Sequence, residues 1–134
     1  MVDEILVKQD LTREMIDAGA RLVDRLNGMD LRIKVAMWFF VPEGNKWRLL
    51  ISTPLEVEAG PGEVYDRIEK ARMSLDEESA ELLFWAVGLL NTRDEVVEAI
   101  ASGIPVGGTA KPVRFRGVVR GRYVDDVLVY HSAA

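Results

Sequence analysis

Five basic side chains crowd the C-terminal part of the sequence, where acidic residues are few. They are Lys111, Arg114, Arg116, Arg120 and Arg122. On an extended strand the arginines at 114, 116 and 120 project to one side, and such a row suits phosphate or carboxylate. One interpretation is contact with an anion, an acidic protein or nucleic acid. The alternative is a solvated sheet face or edge that discourages aggregation and is neutralised by Asp126 or by acidic helix residues.

Two adjacent carboxylates follow this basic segment, at Asp125 and Asp126. Neighbouring residues on a regular strand point to opposite faces, so they can share one metal ion only if a bulge turns them together. Glu43, Glu56 or Glu58 could add oxygen ligands, although no spacing requires it. The simpler expectation is two solvated carboxylates at a strand start or bulge. A metal-dependent phosphoryl hydrolase or nuclease that uses Asp125, Asp126 and Glu43 stays the alternative.

Four aromatic residues lie close together in the chain, at Trp38, Phe39, Phe40 and Trp47. Aromatic side chains anchor both protein cores and interfaces between subunits. Core packing is one interpretation. The other is a surface for self-association that includes Trp38, Phe40 and Trp47, which would make the protein a homodimer or another homo-oligomer.

The remaining composition excludes several kinds of chemistry. The sequence has no cysteine and one histidine, His131, which removes thiol nucleophiles, zinc ribbons and multi-histidine sites. His131 is expected in an exposed tail, and no Gly-x-Ser-x-Gly motif supports a catalytic triad. The segment from Gly103 to Lys111 lacks the order of residues that a phosphate-binding loop needs. We therefore expect no catalytic residue, no resident metal and no cofactor.

Charge is distributed unevenly along the 134 residues, whose net charge is −5. Residues 1–110 carry 12 basic and 20 acidic side chains, whereas residues 111–134 carry 5 basic and 2 acidic ones. The acidic total disfavours nucleic acid or anionic lipid over the surface as a whole. No apolar run is long enough to span a bilayer, and the first residues do not resemble a secretory signal. We expect a cytoplasmic protein without membrane contact.

The hydrophobic pattern predicts a single α+β domain over residues 1–134. We expect about five mostly antiparallel strands in one layer, with about three helices on one face, in the order α-β-β-α-β-α-β-β. Residues 74–90 fit two structures, because Ser74 to Glu77 resembles a helix capping box whereas 82–90 is almost continuously apolar; we favour a strand near 82–89. The predicted helices are 11–27, 61–73 and 92–103, and the other predicted strands are 31–41, 47–53, 113–119 and 123–130.

Two stretches of the sequence resemble a group of small bacterial proteins of uncharacterised function. One runs from Trp38 to Pro54, with a Trp, Pro, Trp-Arg-Leu, Ile-Ser-Thr-Pro pattern. The other contains Phe115-Arg-Gly117, Gly121 and the segment from Asp126 to Tyr130. The resemblance implies a compact α+β domain and a bacterial source. It implies no catalytic residues.

Since the usual catalytic constellations are missing, the sequence favours a non-enzymatic binding or regulatory module of a bacterial cytoplasm. In this hypothesis the aromatic strand supplies the contact between copies, and the basic hairpin meets an acidic partner. Two alternatives stay open, namely the metal-dependent hydrolase or nuclease and a nucleic-acid-binding protein that uses the arginine-rich hairpin.

Overall fold

One five-stranded sheet and five α-helices make up the protein, as a computed structural model describes it for residues 7–107 and 110–134. The predicted α+β class, with about five mostly antiparallel strands, is confirmed. The helices are α1 Arg13–Gly28, α2 Leu55–Ala59, α3 Pro61–Met73, α4 Glu77–Phe84 and α5 Glu95–Gly103. The strands are β1 Val35–Val41, β2 Lys46–Ser52, β3 Val87–Leu89, β4 Val113–Val119 and β5 Arg122–Ser132.

The strands lie in the order β3-β2-β1-β5-β4, so that β1 is central and β3 and β4 form the two edges. Both predicted hairpins, β1–β2 and β4–β5, are present, and only β2 and β3 pair in parallel. The last strand, β5, also pairs with β1, and this pairing joins the two hairpins into one sheet. This topology places β3 and the basic hairpin at opposite edges of the sheet.

Helices cover both faces of the sheet. Helices α1, α3 and α4 pack on one face around Trp38, Leu49 and Leu128. The prediction placed helices 11–27, 61–73 and 92–103 together on one face, but the last of these is α5 and lies on the other face, and α4 takes its place. The opposite face, which includes Met37 and Val129, is covered by α5 through Val97 and Ile100. A second covered face is what the sequence of β1 requires, because a strand that is apolar on both sides needs protein on both sides.

Residues 74–90 combine the two structures that their sequence allows. The segment first forms α4 up to Phe84, so the strand favoured over 82–89 is wrong for its first residues and begins only at Val87. Asp76 caps the helix, and its side chain accepts a hydrogen bond from the backbone N–H of Ser79. With α4 only eight residues long, its end leaves Phe84 and Trp85 on the surface.

The start of the first strand also differs from the prediction. Residues 31–34 precede β1 instead of belonging to it, and Arg32 adopts a left-handed backbone conformation with φ of 56°. The Thr53 hydroxyl donates a hydrogen bond to the Leu31 carbonyl at 2.7 Å, which holds this connection against the end of β2. No helix among the described residues is long and apolar enough to cross a bilayer.

A close approach of α1 to the sheet occurs at Gly19. The buried indole Nε1 of Trp38 donates to the Tyr130 hydroxyl oxygen at 3.0 Å, and that hydroxyl donates to the Ile16 carbonyl of α1. A Cβ atom at Gly19 would lie 2.6 Å from both the Trp38 Nε1 and the Tyr130 oxygen. Glycine is therefore required for α1 to reach this hydrogen-bonded pair.

Replacing Gly19 by alanine should destabilise the protein by about 1 to 3 kcal/mol through overpacking. The loss should exceed the gain of about 1 kcal/mol in helix propensity that alanine otherwise brings. Gly62→Ala is the matched control, because it lies in α3 with nothing within 4 Å of the added Cβ. Urea unfolding followed by circular dichroism measures both variants. Equal stability of Gly19→Ala and the natural chain would contradict the close approach.

Candidate functional site

The Asp126 carboxylate is fully buried and accepts hydrogen bonds from three cationic side chains. Arg114 binds it through two nitrogens, Nε to Oδ1 at 3.0 Å and Nη2 to Oδ2 at 2.8 Å. Arg116 donates from Nε at 3.1 Å, and the Lys8 ammonium donates at 2.6 Å. We call these four residues the Asp126 cluster. It joins the segment before α1 to both strands of the C-terminal hairpin.

A bulge in β5 makes this convergence possible. Gly117 and Phe115 of β4 face Val124 and Val127 of β5, so Asp125 and Asp126 together occupy the space opposite one residue. The extra residue turns the Asp126 side chain toward Arg114 and Arg116. A bulge at this position was expected either as a condition for metal binding or as a place for two solvated carboxylates, and the bulge found here instead buries Asp126.

The surroundings of Asp126 hold its carboxyl group in the charged form. Burial raises the pKa of Asp126, but hydrogen bonds from Arg114 and Lys8 and the charges of both outweigh it, and the pKa falls from 3.8 to about 2. The hydrogen bond to Asp126 raises the pKa of Arg114 in turn. The expectation of two solvated carboxylates is therefore wrong for Asp126, whereas Asp125 is half-buried.

The predicted arginine row is divided among different partners. Arg114 and Arg116 bind Asp126, Arg122 forms an ion pair with Glu95 of α5, and Arg120 donates to the Ser102 carbonyl at 3.2 Å. Lys111 is exposed and forms no ion pair with any residue that the structure describes. The alternative considered for this row, pairing with Asp126 and with acidic helix residues, is the arrangement found for Arg114, Arg116 and Arg122.

The aromatic set belongs to the core of the chain itself. Trp38, Phe40 and Trp47 are all buried, and the rings of Phe40 and Trp47 lie 5.4 Å apart. The Lys8 ammonium lies 4.6 Å from the centre of the Phe40 ring, between this pair and Asp126. These three aromatic side chains therefore do not form a surface on which a second copy could dock.

No group of three histidine, aspartate or glutamate side chains suited to a metal ion occurs within residues 7–107 and 110–134. Asp126 is occupied by three cations, and Glu43 lies in the exposed turn between β1 and β2. His131 lies half-buried in β5 instead of in an exposed tail. Part of the glycine-rich loop, at residues 108–109, is outside the described residues.

A groove between α3 and α4 contains the most exposed aromatic side chain among the described residues. Trp85 is 83% exposed, and it lies beside Phe84 at 51% and Met73 at 67%. The groove has a volume of about 550 Å³. We call it the Trp85 groove, and its lining consists of Arg72, Met73, Leu75, Glu77, Ala80, Glu81, Phe84 and Trp85.

A buried arginine holds the aromatic side of this groove in place. Arg72 donates to the Ala80 carbonyl at 2.7 Å and binds the Glu69 carboxylate through two nitrogens. Its guanidinium carbon lies 5.0 Å from the centre of the Phe84 ring, and Phe84 meets Trp85 edge to face at 4.7 Å. Since Phe84 is in contact with Arg72 and with Trp85, the exposed rings have a defined arrangement.

Carboxylates border the exposed rings. Glu77 and Glu81 are exposed and one helical turn apart, and Phe84 and Trp85 continue the same stripe of the chain. Residues 55–84 as a whole contain nine acidic and three basic side chains. The Trp85 groove therefore combines an apolar surface with a negative rim. It is suited to hold an apolar group that is accompanied by positive charge.

The Trp85 groove is not predicted by the sequence, although the sequence contains a signal for it. The apolar run from Leu82 to Leu90 favours one buried strand, and a single strand would bury Trp85. A capped helix that starts at Glu77 has to expose one side of this segment, because an isolated helix on a sheet face is covered on one side only.

Lowering the pH from about 4 to about 2 should cost the protein about 2 kcal/mol of stability through Asp126 alone. The pKa of Asp126 is depressed in the folded protein, so its contribution is present above the unfolded value of 3.8 and disappears as the pH falls through about 2. Asp126→Asn should lack this loss while being less stable by about 1 to 3 kcal/mol at neutral pH, because it removes the charge-assisted hydrogen bonds between the buried carboxylate and three partly exposed cations.

Urea unfolding at pH values between 2 and 7 measures this difference. Asp125→Asn is the matched control, since Asp125 forms no ion pair with a described residue, and it should keep the loss in acid. An identical acid profile for Asp126→Asn and the natural chain would show that Asp126 does not carry the effect.

Comparison with protein-family models, with curated proteins and with solved structures finds no match. The function of the chain therefore has to be inferred from the geometry of its described residues.

Proposed function

We propose that the chain is a non-enzymatic binding module of a bacterial cytoplasm, and that it binds a basic and apolar segment of a protein in the Trp85 groove. The observation that carries the proposal is the exposure of Trp85, Phe84 and Met73 on one side of a groove. The lack of cysteine is consistent with the proposed location. The bacterial source rests on the sequence resemblance.

A group of adjacent exposed aromatic residues indicates a binding site more strongly than single exposed residues do. Large contiguous apolar surfaces are uncommon on monomeric proteins and usually mark a binding site. Tryptophan is also the residue type most enriched among the positions that dominate binding energies. The contacts from Arg72 to Phe84 and from Phe84 to Trp85 hold the rings before any partner arrives, which lowers the entropy lost on binding.

The acidic rim favours one class of partner. Glu77 and Glu81 border the apolar surface, and the surrounding helices are acidic overall. An apolar segment that carries lysine or arginine would gain from both features, whereas an acidic segment or nucleic acid would be repelled. This supports a protein segment with basic and apolar side chains as the ligand.

The arginine-rich hairpin supports an anion-binding function less well than the sequence suggested. Arg114 and Arg122 are engaged by Asp126 and Glu95, so they bring little free positive charge to a nucleic acid. Lys111 and the outer part of Arg116 stay accessible. An acidic protein surface could use these two positions together with the apolar residues around them.

A short amphipathic helical peptide of leucine and lysine should bind the natural chain, and its leucine–glutamate counterpart should not. Trp85→Ala should weaken binding of the lysine peptide about 30-fold, the effect of removing a residue worth about 2 kcal/mol at an interface. Glu81→Lys should weaken it about fivefold to tenfold through charge repulsion at the rim. The fluorescence anisotropy of labelled peptide measures all four affinities.

Glu43→Lys is the control for the charge reversal, because it changes the net charge equally in the exposed turn between β1 and β2. It should leave the affinity within about twofold of the natural chain, since Glu43 does not line the Trp85 groove and salt screens exposed charges outside the contact. Equal weakening by Glu43→Lys and Glu81→Lys would mean that the peptide senses only the overall charge, and the Trp85 groove would lose its role.

A further inference from the structure

We propose that the occupant of the Trp85 groove is the tip of the C-terminal hairpin of a second copy of this chain. This inference rests on the proposed function and names the partner. The tip consists of Val118, Tyr123 and the turn between them, with Arg116 beside it. It has the two properties that the groove requires, an exposed apolar surface and an excess of positive charge.

The apolar part of the tip is a cross-strand pair. Val118 of β4 faces Tyr123 of β5 in the register, and their side chains are 66% and 72% exposed. The turn that follows Val119 contains Arg120 and Gly121, both with positive φ, so the strands reverse tightly and the pair lies near the end of the hairpin. An exposed tyrosine beside an exposed valine suits a groove lined by aromatic rings.

Charge complementarity supports this occupant. Residues 111–123 contain five basic side chains and no acidic one, whereas residues 55–84, which form the groove and its surroundings, contain nine acidic and three basic ones. Arg116 lies two residues before Val118, its side chain is 64% exposed, and it donates to Asp126 from Nε alone. Its remaining donors can reach the Glu77 and Glu81 carboxylates of another copy.

The sheet order prevents one copy from joining its own two surfaces. Trp85 leads directly into β3 at one edge of the sheet, and the hairpin tip extends from β4 and β5 at the other. The contact is therefore between copies and uses a different surface on each. Such head-to-tail contacts form a ring or a growing chain of subunits instead of stopping at a symmetric dimer.

Docking through side chains suits the hairpin better than extension of the sheet. β4 is an edge strand, but Gly117 interrupts it with φ of 128° beside a register shift, and Arg114 and Arg116 flank this interruption. Bulges and charged side chains on an edge discourage pairing with another strand. The exposed pair of Val118 and Tyr123 near the tip is the apolar part of the hairpin that is open to a partner.

Two variants that each lose one surface test the inference. Trp85→Lys removes the aromatic anchor and places a positive charge in the groove, and Tyr123→Asp places a negative charge on the tip. Sedimentation velocity should show that the natural chain increases in mass with concentration, and less so at high salt, because screening weakens the attraction of the acidic and basic surfaces. Each variant alone should stay monomeric, and an equimolar mixture of the two should form a one-to-one dimer.

The mixture shows whether each substitution removes one specific surface or abolishes association in general. Trp85→Lys keeps its hairpin tip and Tyr123→Asp keeps its groove, so one productive contact is left and growth ends at two subunits. Val57→Lys and Tyr65→Asp introduce the same charges at other exposed residues and should associate like the natural chain. A mixture that stays monomeric, or a natural chain that is monomeric at every concentration, overturns the second copy as the occupant.

Peptide binding tests the proposed function independently of the sedimentation result. A monomeric natural chain that still binds the leucine–lysine peptide through Trp85 would retain the binding module and remove the second copy. A chain that forms the one-to-one dimer in the mixture without binding the peptide would retain the second copy and restrict the groove to that occupant. Failure of both would remove the groove as a binding site.

Discussion

A buried carboxylate, Asp126, holds the C-terminal hairpin to the segment before α1. Asp126 has no exposed surface, and a buried charge of this kind is tolerated only when paired and hydrogen-bonded. Its oxygens accept four hydrogen bonds from three cationic side chains, which come from the segment before α1 and from β4. Because Arg114 and Arg116 bind Asp126 within the chain, only the remaining donors of these two arginines are available to a partner.

The same cluster connects the basic hairpin to the aromatic core. The Lys8 ammonium lies over the Phe40 ring and beside Asp126, so the segment before α1 is held across the end of β1 and β2. The indole of Trp47 adds a hydrogen bond to the Gln9 carbonyl at 2.8 Å. Aromatic rings that could have served as an interface are thereby enclosed. The aromatic side chains that are available for binding lie in other parts of the fold, above all at the end of α4.

Two surfaces of opposite charge follow from this arrangement. Glu77 and Glu81 border exposed rings at the β3 edge, and the hairpin at the β4 edge presents Tyr123 among basic residues. Both surfaces contain what protein recognition uses, namely aromatic area and charge. The proposed binding function and the proposed contact between copies both depend on the separation of these surfaces by the width of the sheet.

The sequence by itself was sufficient to predict the α+β class, both hairpins and the helices α1, α3 and α5, because the period of the hydrophobic pattern is a local property. Helix starts were predicted only approximately. At the predicted capping box, Ser74 to Glu77, the cap is Asp76 inside the box, since aspartate caps as well as serine, and Asp94 caps α5 in the same way. Whether residues 82–84 are helix or strand depended on where α4 ends, and tertiary packing determines that end.

Only the tertiary structure decided what the candidate residues do. The bulge that turns Asp126 toward Arg114 and Arg116 is a matter of register between two strands, and the partner Lys8 is 118 residues away in the chain. The burial of Trp38, Phe40 and Trp47 and the exposure of Trp85 likewise depend on which helix covers which part of the sheet. Residue types and spacing specify what an element can do, but the contacts between elements that are distant in sequence determine which side chains reach solvent.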